Sequence, residues 1–170
     1  MIALIGFTGC GKSTIGRMLA TTHGFVTYDV DAEIERNSEK TIRDIFATQG
    51  EAAFREMESQ AIDRIVMNAK ARHAVIVTGA GAVIREQNRA LLASSCITFH
   101  IDTPLEIVMA RLVGDQQRPL IQGPDRIKTM MSLYESRKEF YKFAKYRIEQ
   151  PDGRSAVASL LAKLMMHEMV

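Results

Sequence analysis

A chain of 170 residues with 46% apolar and 25% charged residues has the size and composition of one soluble globular domain with a sizeable core. A net charge of +2 without any long basic run gives no charge signature of a nucleic-acid partner, and no apolar segment approaches the ~18 residues that suggest a membrane span. The charge-free apolar start runs straight into a glycine-rich loop, which predicts no signal peptide, and the two cysteines, Cys10 and Cys96, read as unpaired residues of a reducing cytoplasm.

The run Ile2-Ala3-Leu4-Ile5 predicts a central strand covered on both faces. It leads into Gly6-Phe7-Thr8-Gly9-Cys10-Gly11-Lys12-Ser13, which fits the phosphate-loop pattern G-x-x-x-x-G-K-[ST]. Glycines let backbone N–H groups turn toward phosphate oxygens, and the helix predicted from about Lys12 to Thr22 adds its positive N-terminus. Lys12 would reach the β- and γ-phosphates, and the Ser13 hydroxyl would ligate Mg²⁺. The alternative, a chance glycine-rich turn, does not require this conjunction of strand, motif and helix. The loop predicts binding of a nucleoside triphosphate.

A second strand, Phe25 to Tyr28, ends in Asp29-Val30-Asp31. A short helix should start at Thr41 and end near Gly50, followed by a longer one from Glu51 to about Lys70 with Phe54, Met57, Ala61 and Ile65 on one stripe. The β-branched run Ala74 to Thr78 predicts a third strand, stopping at Gly79-Ala80-Gly81. A helix over Arg85 to Ala93 and a strand over Ile97 to Ile101 come next. Thr103-Pro104-Leu105-Glu106 then reads as a capping box with proline at the first helical position. Two glycines and two prolines between Gly114 and Pro124 break regular structure around Arg118. A helix from Asp125 to about Phe143, a strand over Tyr146 to Glu149, and a helix from Ala156 to Met169 with Val157, Leu160, Leu161, Leu164 and Met165 inward complete the chain. The ten methionines read mainly as core filling.

Strands alternating with helices predict a three-layer α/β/α sandwich with a central, parallel, five-stranded sheet. Ligands of such sheets gather at the carboxyl ends of the strands, so the phosphate loop, Asp29 with Asp31, and Gly79-Ala80-Gly81 should face one crevice. In an extended chain Asp29 and Asp31 point to the same side, where one can hold the water shell of a magnesium ion and the other can orient or deprotonate an alcohol. Alone, such a pair is more often a solvated loop or helix cap. Arg55 lies beside the buried stripe with Glu58 three residues on, although an isolated Arg-x-x-Glu is usually a surface ion pair. Arg118 suits a mobile lid, Arg111 either an adenine stack or an exposed position, and Arg137 a charged helix face. The glycines at 79 and 81 mark a tight turn or a close approach of substrate to the main chain. His23, His73, His100 and His167 show no metal-ligand spacing.

The whole pattern resembles the shikimate kinase family, a branch of the phosphate-loop proteins similar to nucleoside monophosphate kinases. Beyond Gly6–Ser13 and Asp29-Val30-Asp31, the resemblance rests on Ile45-Phe46-Ala47-Thr48-Gln49-Gly50-Glu51 with Phe54-Arg55 and Glu58, and on Gly79 to Val83. Arg118-Pro119-Leu120, Tyr134, Arg137 and Tyr141 extend it almost to the end of the chain. It implies a single kinase domain over residues 1–170, with a substrate-binding helical segment at about 31–60 and a lid at about 112–124. The implied reaction is phosphorylation of the shikimate 3-hydroxyl by ATP, in the pathway to the aromatic amino acids. Lys12, Asp31 and Arg118 would be catalytic, with Asp31 binding the reacting hydroxyl in a position to act as base. Gly9, Cys10, Gly11, Lys12, Ser13, Thr14, Arg111, Arg118 and Ser155 would bind the nucleotide, while Ser13 and, through water, Asp29 would hold Mg²⁺. Arg55 and Arg137 would clamp the shikimate carboxylate, Glu58 would orient Arg55, and Gly79, Ala80 and Gly81 would meet the sugar-like hydroxyls of the acceptor. The implied protein is a cytoplasmic monomer taking small molecules, with no nucleic-acid or membrane partner.

Two positions depart from the family pattern. Ala80 stands where the family usually has a third glycine, and Ser155 falls where its adenine loop usually has proline. If Ala80 keeps ordinary dihedrals its N–H can still donate; if not, acceptor affinity falls or the acceptor differs. Alternatives to weigh are a kinase of another polyhydroxylated acid such as gluconate, and a nucleotide-binding protein that has lost catalysis. The absence of an Asn-Lys-x-Asp guanine motif sets a GTPase aside.

Overall fold

The structure, a computed structural model, describes residues 1–69, 73–112, 125–149 and 152–168. Five strands, β1 (Ile2–Ile5), β2 (Val26–Asp29), β3 (Ala74–Val77), β4 (Ile97–Asp102) and β5 (Tyr146–Glu149), pair in parallel in the order β2-β3-β1-β4-β5. Helix α1 (Lys12–His23) follows β1, and α2 (Val30–Ser38) with α3 (Ile42–Asn68) follows β2. Helix α4 (Glu86–Ser95) follows β3, α5 (Leu105–Arg111) and α6 (Arg126–Arg137) follow β4, and α7 (Gly153–Glu168) follows β5.

Every residue of β1 and β3 is buried, which is why these strands read as unbroken apolar runs. Alternate β1 side chains feed two layers. Ile2 and Leu4 pack with Ile15 and Leu19 of α1, Phe99 of β4 and Leu160 of α7 on one face. Ala3 and Ile5 pack with Ile34 of α2, Ile62 of α3, Leu92 of α4 and Tyr141 on the other. At about 1.5–3 kcal/mol for each fully buried aliphatic side chain, the two layers hold the sheet rigidly from both sides. Strand β1 lies between β3 and β4, so the loop after it opens where the strand order turns back, the usual place for a ligand in an open α/β sheet. Among the described residues no helix is long and apolar enough to cross a membrane.

The three-layer parallel architecture matches the sequence reading, and several local expectations need correction. The expected break between two helices at Gly50 is present: α3 is two helical stretches joined across a kink at that glycine, φ 80° and ψ 175°. Thr41 does cap it, accepting from the Asp44 N–H at 3.1 Å and donating to Asp44 Oδ2 at 2.7 Å. The capping box at Thr103 does not form. Helix α5 starts at Leu105 with Pro104, not Thr103, at the cap position, and the Thr103 hydroxyl donates to the Cys10 carbonyl at 3.0 Å, tying the phosphate loop to the end of β4. The helix expected over 125–143 divides into α6 and a 3₁₀ segment, Lys138–Phe143. Met165 is exposed because burial declines along α7 from Leu160, through the partly buried Leu161 and Leu164. Core filling also fails for Met67, Met131 and Met166, all more than half exposed, and holds for Met130.

Candidate active site

Gly6, Gly9 and Gly11 of the phosphate loop have φ of 148°, 73° and 102°, in the region that side chains disfavour, and Gly11 is the cap from which α1 begins. This backbone aims the first N–H groups of α1 into a concavity. Lys12 is buried across it, with Nζ donating to the carbonyls of Gly6 at 2.8 Å and Phe7 at 3.0 Å and lying 3.6 Å from Cys10 Sγ. A cleft of about 400 Å³ extends over the loop, lined by Gly9 through Ile15 and by Arg111, Asp152 and Gly153. Arg111 Nη1 reaches the Gly9 carbonyl at 3.4 Å. Ser155 does not line this cleft. It caps the start of α7 together with Asp152, its N–H and hydroxyl donating to that carboxylate at 2.9 and 2.8 Å. These two bonds hold the Asp152 carboxyl below its usual range.

Asp29 and Asp31 do not share an extended segment. Asp29 closes β2 and caps α2, its Oδ1 accepting from the N–H groups of Asp31 at 3.0 Å and Ala32 at 3.3 Å, so Asp31 already stands in the first helical turn. The backbone reversal between them divides their surroundings. Asp29 Oδ2 faces the Ser13 hydroxyl at 3.4 Å, whereas Asp31 Oδ1 lies 3.1 Å from the point where a side chain on Gly79 would begin. A hydroxyl and a carboxylate beside a phosphate cradle are hard oxygen donors that fit Mg²⁺, an ion that keeps several waters and takes few protein ligands. Among the described residues no group of three or more His, Cys, Asp or Glu side chains could hold a metal ion by itself.

The other wall rises from α3. Arg55 and Glu58 are buried, one turn apart, and joined from Nη1 to Oε2 at 2.8 Å; Glu51 accepts from the same guanidinium at 2.9 Å. Burial works against the Arg55 charge, yet Glu58 and Glu51 outweigh it and raise its pKa. Burial likewise raises the Glu58 carboxyl above its usual range, against the pull of Arg55. The second Glu58 oxygen, Oε1, is buried with no hydrogen-bond partner among the described residues. Arg137 is only 6% exposed and makes no ion pair with a described residue. Burial lowers its pKa, and the charge of Arg55 lowers it further. Glu51 and Glu58 oppose that lowering from a distance, but Arg137 has no bonded carboxylate among the described residues, and a further anion beside it would relieve its buried charge.

The turn Gly79–Gly81 closes this wall. A side chain on Gly79 would begin 2.5 Å from Glu58 Oε1, and one on Gly81 would overlap the Arg55 guanidinium. A side chain at either position would have to displace the end of Glu58 or Arg55, and no left-handed backbone adds to this, since neither glycine has positive φ. Ala80 between them also keeps negative φ; Glu39 is the only described non-glycine residue that does not. Its carbonyl accepts from the Tyr141 hydroxyl at 2.9 Å, and the buried Tyr141 ring stacks on His100 at 4.8 Å and 14°. Burial lowers the His100 pKa to about 4, against Asp102, and pushes the Tyr141 phenol up. Among the sequence-predicted site residues, the structure thus gathers Lys12, Ser13, Asp29 and Arg111 on the nucleotide side and Asp31, Arg55, Glu58, Gly79–Gly81 and Arg137 on the other. Arg118, with all of the expected lid beyond Leu112, lies outside the described residues. Glu51, His100 and the Tyr141 hydroxyl were given no role by sequence. No helical spacing points to Tyr141, because α6 has already tightened into the 3₁₀ segment before it.

A phosphate loop on the central strand of a parallel sheet, with buried guanidiniums and carboxylates gathered at the turn after the neighbouring strand, defines a phosphate-loop kinase of a small molecule. The family model described as shikimate kinase matches residues 8–166, and the chain belongs to that family. It is 39% identical over 145 residues to a shikimate kinase of Synechococcus elongatus, covering 85% of this chain and 74% of that protein. A shikimate kinase of Persephonella marina is 38% identical over 154 residues, 91% of this chain and 90% of the relative. Among solved structures, shikimate kinase from Acinetobacter baumannii in complex with shikimate superposes with a TM-score of 0.88 at 32% identity, over 98% of this chain and 93% of that one. The Aquifex aeolicus enzyme gives 0.83 at 30% identity, over 98% and 97%.

Proposed function

We infer that this protein phosphorylates the 3-hydroxyl of shikimate with ATP, releasing ADP and shikimate 3-phosphate in the pathway to the aromatic amino acids. Family membership supports the reaction, and the observation that supports the acceptor is the pair of buried guanidiniums. Arg55 has carboxylate partners, whereas Arg137 is equally buried with no ion pair to a described residue. A carboxylate on the acceptor would relieve that charge with charge-assisted hydrogen bonds. Asp31, beside Gly79, would then take the acceptor hydroxyl and its proton, with Glu58 orienting Arg55 from below.

On the nucleotide side, Lys12 would exchange the carbonyls of Gly6 and Phe7 for phosphate oxygens, and the N–H groups from Gly9 to Thr14 would cradle them. Ser13, with Asp29 through water, would hold Mg²⁺, which when bound neutralises developing charge on the phosphates. Arg111 lies at the cleft wall where a nucleobase could stack, Ser155 would act only by shaping the start of α7, and Arg118 would bring further positive charge from the lid at about 112–124. Phosphoryl transfer passes through a loose transition state, so positioning and cations matter more than covalent help. The segment at about 31–60 would carry acceptor binding within one kinase domain over residues 1–170, acting as a cytoplasmic monomer on small molecules alone; light scattering checks the oligomeric state.

The test is ADP release with Mg-ATP and either shikimate or gluconate. Shikimate-dependent ADP is expected. ADP with gluconate but not shikimate would replace the acceptor, and ATP binding without turnover on either would remove catalysis from the assignment. Arg137→Ala is expected to raise the shikimate KM roughly 10- to 100-fold, the value of about 1.5–3 kcal/mol for hydrogen bonds to a charged group, while the KM for ATP stays within about twofold. An unchanged shikimate KM would detach Arg137 from the acceptor.

A further inference from the structure

We propose that Tyr141 is a positioning residue for the acceptor site, fixing through the Ala80 carbonyl the direction in which the Gly81 N–H faces the acceptor carboxylate. The inference rests on the shikimate reading and extends it to a residue outside the ligand shell. A trans peptide is planar, with its C=O and N–H antiparallel, and no described peptide bond is cis. Whatever holds the Ala80 carbonyl therefore aims the Gly81 N–H the opposite way. The holder is the Tyr141 hydroxyl, donating at 2.9 Å from a ring 1% exposed and stacked on His100.

Other carbonyls of the segment are also tied into the protein. Gly79 accepts from the Ala82 N–H, Gly81 from the Ile84 N–H, Ala82 from Asn88, and Val83 and Ile84 from Arg89. By contrast, the N–H groups of Ala80 and Gly81 donate to no described residue. Gly81 is buried, and a side chain on it would begin 2.4 Å from the Arg55 guanidinium, so the residue stands beside the cation expected to bind the acceptor carboxylate. An N–H aimed in advance at that carboxylate adds a donor with no reorganisation on binding. The arrangement also accounts for Ala80: with its carbonyl anchored and its φ negative, the turn keeps its donor direction without a glycine at the middle position.

Tyr141→Phe removes the hydroxyl and leaves the ring stacked. The shikimate KM should rise about five- to tenfold, while kcat and the KM for ATP stay within about twofold. In a ¹⁵N-labelled sample the wild-type Gly81 amide cross-peak should shift on adding shikimate, hardly at all on adding its methyl ester, and less in Tyr141→Phe. An unchanged shikimate KM, or equal losses in kcat and both KM values, would overturn the proposal. Because the Gly81 amide is read in the wild-type protein, a variant that fails to fold does not shield the idea: a wild-type cross-peak that ignores shikimate also overturns it. Wild-type protein that releases no ADP with shikimate would overturn the functional reading and this inference with it, whereas normal wild-type turnover with an indifferent Tyr141→Phe overturns the positioning role alone.

Discussion

Asp31→Asn is expected to lower kcat about 10³-fold, within the range that positioned acid–base groups contribute, with the shikimate KM moving by no more than a few fold. Asparagine keeps the shape and leaves the cap of α2 intact, because that cap is Asp29 and not Asp31. What it removes is an oxygen able to receive the hydroxyl proton next to Gly79, where Asp31 Oδ1 stands. Steady-state kinetics with saturating Mg-ATP would measure it. A kcat within tenfold of wild type would move the base elsewhere or make proton removal late and easy.

The second large effect is expected from Arg55→Met, which should cost about 3–5 kcal/mol of stability as well as most of the acceptor affinity. Removing one partner of a buried pair leaves the other charge uncompensated, and Glu58 is fully buried, with Arg55 as its bonded cation. The loss should depend on pH in a defined direction. Glu58 in the folded protein binds its proton more readily than an unfolded glutamate, through burial that Arg55 opposes. Without Arg55 its pKa rises further, so the native state is favoured by protonation. The penalty is smallest below the unfolded value of about 4.3 and grows as pH rises through the folded pKa. Denaturant titrations at pH 5 and pH 8 should show the variant less destabilised at pH 5. An equal deficit at both would indicate that Glu58 stays charged by another route.

How legible this was from sequence depends on the distance over which each residue is determined. The phosphate loop is a local object: an apolar strand, three glycines at special φ and a helix start, all within thirteen residues, and it forms where the motif puts it. The order of strands and helices follows from the same short-range patterning. Arg55 and Glu58 differ. On α3 alone they look like a solvated ion pair, and what buries them is the turn at Gly79–Gly81, contributed by another strand; only the family resemblance singled them out. Asp29 and Asp31 were assigned to the right end of the sheet with the wrong geometry, because a cap formed by Asp29 itself turns the chain helical one residue earlier than alternation assumes. Thr103 was misread because Pro104, with ψ 137°, is itself the cap residue and α5 begins only at Leu105, which leaves Thr103 one residue too early for a capping box. His100 gave no signal, since its stacking partner lies 41 positions further along the chain.

The spacing of side-chain room along Gly79-Ala80-Gly81 also orders how this turn can change over generations. A methyl group arriving at position 81 collides with Arg55, and one at position 79 with Glu58, whereas the middle position already carries one. Drift is therefore freer at 80 than at its two neighbours, where a side chain must displace the carboxylate or the guanidinium. A lineage leaving acidic acceptors would have to shorten Arg55 first, and only then would position 81 be released to vary. The reverse order passes through a protein in which the new side chain pushes Arg55 away from Glu51 and Glu58. Substitutions here should consequently be found in a fixed succession, with the identity of residue 81 contingent on residue 55.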